Sequence, residues 1–314
     1  MGRVLLAAPR GYCAGVERAV DAVERALAEH GPPVYVRKQI VHNLHVVRDL
    51  ERKGAVFVEE ETEVPEGAVL VLSAHGSPPE VYRNARARGL RLVDATCPLV
   101  TKVHLEARRF AGEGRTILLI GHAGHEEVVG TTGQAPERMV LVQTVEDART
   151  VEVPDPGNVS YLTQTTLSVD EAERIVEALR ERFPGIQGPP REDICYATQN
   201  RQDAVKEVAR RADVVLVIGS DNSSNSNRLA EVARDRGTPA YLVDDETEVD
   251  PAWLAGAETV GLTSGASAPE RLVERMLGWL AERGFDEVEE VRLAEEHVRF
   301  SLPAGLRRLP LATR

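Results

Sequence analysis

Val4-Leu5-Leu6-Ala7-Ala8-Pro9-Arg10-Gly11-Tyr12-Cys13-Ala14-Gly15-Val16 reads as a strand, a turn and a helix start in immediate succession, with a cysteine at the joint. Beyond it Val16, Val20, Val23 and Leu27 recur at helical spacing from Ala14 to Glu29, and Gly31-Pro32-Pro33 stops the pattern. The unit returns twice. Cys97 follows Arg91-Leu92-Val93-Asp94-Ala95-Thr96 and precedes the amphipathic stretch Leu99 to Phe110, and Cys195 follows Asp193-Ile194 and precedes Asn200 to Ala212.

Each cysteine therefore opens a cycle. After each cysteine helix a strand ends in polar residues: His42 lies 29 residues beyond Cys13, His125 lies 28 beyond Cys97, and Ser223 lies 28 beyond Cys195. A second strand in each cycle ends in another polar loop, at Ser73-Ala74-His75-Gly76, at Thr163-Gln164-Thr165-Thr166 and at Thr263-Ser264-Gly265-Ala266-Ser267. Strands read at Val4 to Ala8, Val34 to Val36, Val69 to Leu72, Thr116 to Ile120, Val159 to Leu162, Val214 to Ile218 and Thr259 to Leu262, with helices between them, which is an α/β pattern with parallel or mixed sheets. The spacing predicts three pseudo-equivalent α/β lobes: residues 1–96 with Cys13, 97–194 with Cys97 and 195–281 with Cys195, followed by a C-terminal strand and tail over 282–314. Ligands of open α/β sheets bind outside the carboxyl ends of the strands, where every one of these polar loops sits. Three lobes facing one another would bring three cysteines and six polar loops to one cavity.

Composition narrows the function. The chain has 314 residues, 42% of them apolar, enough for real cores and incompatible with disorder. Acidic residues outnumber basic ones 50 to 38, and the net charge of −12 argues against a general grip on nucleic acid or an anionic membrane. Aromatics at 4% lower the expectation of base stacking. The longest apolar runs, such as Val214 to Gly219, are strand-sized against the roughly 20 residues a bilayer demands. The start Met1-Gly2-Arg3 leads directly into the first strand without a signal-like region, so the expected location is the cytoplasm.

Three cysteines, odd in number and 84 and 98 residues apart, do not make a disulfide framework; they are core thiols, nucleophiles or metal ligands. Scattered cysteines are more often buried small hydrophobes, but Gly11-Tyr12-Cys13-Ala14-Gly15 and Thr96-Cys97-Pro98 are turns at element boundaries, where packing alone gives a cysteine less reason to sit. Helix starts stabilise thiolates. Three thiolates suit an iron–sulfur cluster with one iron left open. Structural zinc sites prefer paired C-x-x-C ligands, which are absent, so zinc would need a distant histidine. A cysteine nucleophile with His125 as base, in a phosphotransferase or hydrolase, is the rival enzyme class, and a cluster-binding redox sensor without catalysis is the third.

Pro9-Arg10-Gly11-Tyr12-Cys13-Ala14-Gly15-Val16, Asp94-Ala95-Thr96-Cys97-Pro98, Gly124-His125-Glu126-Glu127, Gln164-Thr165-Thr166-Leu167-Ser168, Cys195-Tyr196-Ala197-Thr198 and Asn222-Ser223-Ser224-Asn225-Ser226-Asn227 closely resemble the 4-hydroxy-3-methylbut-2-enyl diphosphate reductase family. The resemblance runs in order from Leu5 to about Leu306. Tyr12 stands where phenylalanine is common and Gln199 where threonine is frequent, neither on an expected ligand. It implies a trefoil-like fold around an oxygen-sensitive 4Fe-4S cluster, with Cys13, Cys97 and Cys195 as ligands and one open iron for the substrate's hydroxyl. It also implies an allylic diphosphate alcohol as substrate, isopentenyl and dimethylallyl diphosphates as products, and an external ferredoxin- or flavodoxin-type electron donor. No flavin or nicotinamide fingerprint is visible.

The same resemblance implies Glu127 as proton donor and Thr165 as its relay to the substrate hydroxyl; Glu126 reads as a solvated charge. It matches His42, His75 and His125 to substrate-site histidines, and places Thr166, Ser223, Ser224, Asn225 and Ser267 around the substrate. No P-loop follows any strand, so hydroxyls, amides and free backbone N–H groups near a helix beginning close to Asn227 must hold the diphosphate. Alone, that serine–asparagine cluster would read as a helix cap. His30, His45, His104 and His297 read as surface residues, and the Gly124 inside His122-x-x-His125 speaks against a zinc helix. Arg307 to Arg314 read as a mobile end.

Overall fold

The computed structural model describes residues 2–306, so the segment 307–314, expected to be a mobile end, lies outside the described residues. The chain forms three parallel sheets, each with helices on both faces, as parallel strands require because neither face can be left to water.

The first lobe runs through α1 (Ala14–His30), β2 (Val34–Arg37), α2 (Leu44–Arg52), β3 (Ala55–Val58), β4 (Val69–Leu72), α3 (Pro79–Ala87) and β5 (Arg91–Asp94), with sheet order β3-β2-β4-β5. The second comprises α4 (Pro98–Gly112), β6 (Thr116–Ile120), α5 (Glu126–Thr132), β7 (Met139–Val142), α6 (Val145–Thr150), β8 (Val159–Thr163) and α7 (Val169–Arg182), with order β7-β6-β8. A single parallel bridge from Ser160 to Gln187 stands where the fourth strand would be. The third comprises α8 (Tyr196–Ala209), β9 (Val214–Ile218), α9 (Ser224–Asp235), β10 (Ala240–Val243), β11 (Thr259–Ser264), α10 (Glu270–Ala281) and β12 (Phe285–Arg292). Its order is β10-β9-β11-β1-β12, where β1 is Gly2–Ala8.

The position of β1 corrects the expected first boundary. Residues 2–8 pair with Thr259–Leu262 on one side and with Phe285–Arg292 on the other, so the first strand completes the third lobe rather than the first. The chain changes lobe at each cysteine. β1 hands over to α1 of the first sheet at Cys13, β5 to α4 of the second at Cys97, and the second lobe to α8 of the third at Cys195.

Period-two alternation explains the layering. In β1, Leu5 and Ala7 face Ala204, Val205 and Val208 of α8, while Val4 and Leu6 face Leu272, Val273 and Met276 of α10. In β6, Ile117 and Leu119 meet Val103 and Phe110 of α4, while Leu118 and Ile120 meet Ile175 and Leu179 of α7. In β4, Val69 and Val71 meet α1, while Leu70 and Leu72 meet Val81 and Ala85 of α3. In every lobe the cysteine helix covers one face and the last helix the other, which turns all three cysteine helix starts toward the centre. Among the described residues no helix is long and apolar enough to cross a membrane.

Candidate functional site

One cavity, about 740 Å³ with its open mouth, lies where the carboxyl ends of the three sheets converge. All thirteen residues singled out from the sequence line it, among them Cys13, Cys97 and Cys195.

Each cysteine is the N-cap of its helix, in extended backbone. Its backbone N–H is held by the neighbouring lobe in the same way three times: Cys13 donates to the carbonyl of Ala266 at 3.3 Å, Cys97 to Ala74 at 2.9 Å, and Cys195 to Thr165 at 3.1 Å. The acceptors occupy the loops after β11, β4 and β8. The lobes are thus stitched together at the thiols.

The thiols fit an iron–sulfur group. All three are free, and burial pushes the thiol of Cys97 up to about 12 and that of Cys195 up to about 11, with the neighbouring sulfurs adding to the rise. Unpaired thiolates are therefore costly here, and a cationic centre between them would reverse both causes. Among the described residues no three His, Cys, Asp or Glu side chains are gathered closely enough to hold a single metal ion. Gly15 leaves the necessary room in the first turn of α1, since a Cβ there would stand 2.8 Å from Cys97 Sγ and 3.8 Å from Cys13 Sγ. Gly15→Ala is accordingly expected to cut bound iron at least twofold. In the iron-free protein the Cys97 side chain must turn aside, and alanine's helix preference over glycine, about 0.5–1 kcal/mol, offsets that shift, so thermal unfolding should stay near wild type. Undiminished iron per chain would remove the contact from the account.

Glu127, in the first turn of α5, is only 5% exposed. Its Oε2 accepts the backbone N–H of Thr165 at 2.8 Å and its Oε1 bonds the Thr165 hydroxyl at 2.7 Å. Burial pushes its carboxyl above the usual carboxylate range against the opposing effect of those two bonds. Oε1 accepts from the threonine hydroxyl in the carboxylate form, and a proton taken up there would face that same hydroxyl. Glu126, by contrast, stands outside the cavity, 3.9 Å from Lys38 Nζ.

His42, His75 and His125 form a ring cluster. His42 stacks on His75 at 4.0 Å, and His125 meets them edge-on at 5.5 and 5.9 Å. His125 Nδ1 accepts the backbone N–H of Glu127 at 3.1 Å, which leaves its proton on Nε2. Burial and mutual repulsion lower His42 to about 4, burial lowers His125 to about 4, and His75 is held well below its ordinary value. Below pH 6.5 the unfolded chain takes up protons that these rings refuse when folded, so stability is lost as pH falls from 6.5 toward 4. A denaturant series over that range should show the loss, and His42→Asn with His125→Asn should flatten it; an unaltered slope would mean the rings already titrate normally.

Polar donors without a lysine or arginine line the other wall. Ser223 caps α9, its Oγ accepting from Ser226, so its own hydrogen is free for the cavity. Asn225 Oδ1 accepts from the Ala266 amide at 2.8 Å while its buried Nδ2 has no partner, a donor waiting for an acceptor. Ser267 Oγ donates to the carbonyl of His42 at 2.8 Å. The helix starts at Ser224, three residues before the expected point, which puts Ser224 and Asn225 in its first turn. Likewise α8 starts at Tyr196 rather than Asn200, directly after the Cys195 cap.

Some features escaped sequence reasoning. Gln164 Nε2 donates to Thr166 Oγ1 at 2.8 Å and to Ser224 Oγ at 3.1 Å, and Ser224 Oγ donates to the carbonyl of Thr166, so these polar groups lock the second lobe to the third. Phe300, in the irregular segment after β12, reaches the cavity wall; Glu296, bonded to Arg201, and Ser301, bonded to Arg18, tie that segment down. A lone aromatic in a charged stretch was the only available signal. His104, expected at the surface, is buried beneath Gly76 because α4 packs against that loop. His45 is half-buried and paired with Asp245 at 3.0 Å, His122 lies outside the cavity, and His30 and His297 are exposed.

The family model described as LytB protein matches residues 4–281. The chain is 66% identical over 307 residues to the 4-hydroxy-3-methylbut-2-enyl diphosphate reductase of Acidothermus cellulolyticus, covering 98% of this chain and 90% of that one. A solved structure of the E-1-hydroxy-2-methyl-but-2-enyl-4-diphosphate reductase from Plasmodium falciparum superposes with a TM-score of 0.94 at 38% identity, covering 97% of this chain and 96% of that one. A second solved structure, described as (E)-4-hydroxy-3-methyl-but-2-enyl diphosphate reductase, the terminal enzyme of the non-mevalonate pathway, gives 0.62 at 32% identity over 90% of this chain and all of that one. The trefoil-like arrangement is common to this fold.

Proposed function

The chain belongs to the LytB protein family, and on that premise we propose that its cavity carries out the reductive dehydroxylation of 4-hydroxy-3-methylbut-2-enyl diphosphate to isopentenyl and dimethylallyl diphosphates. The single observation that carries the reading is the convergence of three free thiols and a buried carboxylic acid on one cavity. Cys13, Cys97 and Cys195 would hold a 4Fe-4S cluster. When bound there, the cluster supplies electrons and a Lewis-acidic iron without a protein sulfur.

The chain's own residues do the rest. Ser223, Asn225, Ser267 and the free N–H groups at the start of α9 receive the diphosphate, and the neutral rings of His42, His75 and His125 donate to it or to the neighbouring oxygen. Thr165 presents its hydroxyl to the substrate's hydroxyl. Glu127 passes its Oε1 proton to Thr165 as Thr165 passes its own outward, so that oxygen leaves as water rather than hydroxide. Two electrons and two protons balance the change: one proton departs in the water and the other ends on carbon. The electrons come from a one-electron carrier of ferredoxin or flavodoxin type.

The test is iron and acid-labile sulfide per chain on protein purified without oxygen, followed by turnover of the allylic diphosphate with a chemical reductant. Close to four of each, about the content of one cubane, with both product diphosphates formed, is the expected result. Iron and sulfide absent after reconstitution would overturn the proposal, as would an intact cluster that leaves the substrate unchanged.

A further inference from the structure

Three cations stand five or six residues beyond the cysteines on the cysteine helices, and each reaches the loop ahead of the next lobe's cysteine. Arg18, five residues after Cys13, donates from Nη1 to the carbonyl of Thr96 at 2.9 Å and from Nη2 to that of Asp94 at 3.4 Å, just ahead of Cys97. Lys102, five residues after Cys97, donates to the carbonyls of Arg191 and Glu192 at 2.5 and 2.9 Å and to Asp193 Oδ1 at 3.0 Å, just ahead of Cys195. Arg201, six residues after Cys195, donates to the carbonyl of Gly11 at 2.7 and 3.3 Å, just ahead of Cys13. The relation closes on itself around the cavity.

Nothing in helix chemistry favours this placement. Cations near a helix N-terminus oppose its dipole, and Arg201 is wholly buried, which is costly for an ion unless its surroundings answer it. Glu296 and the carbonyls of Gly11 and Ala197 answer that cost for Arg201, and positive charge on the cysteine helices would favour an added electron on any group the thiolates hold. Lys102 shares its charge with Asp193, and Arg201 with Glu296 at 2.9 Å; Arg18 donates to carbonyl oxygens of the Cys97 loop and lies within electrostatic reach of the Cys97 thiol as well as of Asp94.

We propose that Arg18, Lys102 and Arg201 are positioning residues that hold the three cysteine loops in register and set, through their charge, how readily the bound iron–sulfur group accepts an electron. The inference rests on reading the three thiols as cluster ligands. It predicts a graded effect with Arg18 foremost.

The experiment compares the iron-loaded wild type with Arg18→Gln, Lys102→Gln and Arg201→Gln and with the charge-keeping Arg18→Lys and Lys102→Arg, by spectroscopic redox titration and by the rate of iron release to a chelator. Arg18→Gln is expected to weaken reduction at least tenfold, about 59 mV more negative for a one-electron couple. Arg18→Lys should restore it to within threefold. Iron release should quicken at least tenfold in every glutamine variant. Should buried Arg201→Gln fail to fold, the partly exposed Lys102 and Arg18 still decide the matter. Wild-type potential and iron release in both Arg18→Gln and Lys102→Gln would overturn the proposal, as would a shift in Arg18→Gln that Arg18→Lys fails to restore. Wild-type protein without an iron–sulfur group would refute the ligand reading instead, before any variant is made.

Discussion

Cys97→Ala is expected to abolish turnover and to bring bound iron from close to four per chain, about one cubane, to a small fraction of that. The backbone contact that stitches the first lobe to the second is made by the Cys97 N–H to Ala74, and alanine keeps it. The residue lies at the cavity wall, and truncating its thiol removes little packing, so the protein should fold with a loss of about 1 kcal/mol. What remains is the thiols of Cys13 and Cys195, the second pushed up to about 11 by burial, with nothing to hold the third corner. Cys13→Ala and Cys195→Ala should match it, because the three positions are equivalent by the repeated N-cap and backbone contact. That equality discriminates between chemistries. A cysteine nucleophile makes one position essential and the others tolerant, whereas a three-thiol site makes all three essential. Iron analysis, turnover and thermal unfolding on the three variants check this, and one variant that keeps full iron and activity would sink the three-ligand account.

How far the sequence carried this reading depends on the distance over which its signals act. The strand–cysteine–helix units were legible because strand, turn and helix start are local, and the loops at His42, His125 and Ser223 were legible because equal spacing marks equivalent places. The lobe of β1 was not. Its pattern Val4-Leu5-Leu6-Ala7 shows that both faces are covered, yet pairing with β11 and β12 joins residues more than 250 positions apart, which periodicity does not encode. His104 looked like a surface histidine because helical spacing alone did not reveal that the Gly76 loop of another lobe lies over it. The contacts of Gln164 and Phe300, and those of the cations Arg18, Lys102 and Arg201, escaped sequence reading for the same reason. Each makes its contact across lobes, and only once the threefold relation is seen in space do the contacts of the three cations correspond.

That relation also explains why an acidic chain can receive a diphosphate without a basic patch. Each lobe alone offers a helix start, a capped loop and a cysteine; three together enclose donors whose partners are missing, such as Asn225 Nδ2, in a space lined by neutral rings. On the proposed function, neutral donors would hold the multiply charged ligand, leaving positive charge to the cations on the cysteine helices. Diphosphate recognition and electron acceptance would thereby fall to different residues.

Glu127→Gln should separate binding from chemistry, lowering turnover about 10²- to 10⁴-fold, the usual worth of a positioned acid, with iron content and substrate affinity near wild type. The geometry supports the separation. The glutamine carbonyl can take the place of Oε2 and accept the Thr165 N–H, while its amide donates to the Thr165 hydroxyl in place of the acid. Thr165 still turns its own hydrogen toward the substrate, so binding survives; once that hydrogen leaves, no proton follows it. The pH behaviour gives an independent sign. Burial raises the carboxyl's pKa, so the folded state binds a proton that the unfolded chain releases above 4.5, and that contribution to stability is lost as pH rises through the raised value. Wild-type turnover should fall over the same interval as the acid form disappears. In the glutamine variant both the stability loss and that descending limb should vanish, because no proton is there to lose. Steady-state turnover against pH and unfolding against pH measure the two sides separately, and a variant that retains wild-type turnover would remove Glu127 from the proton path.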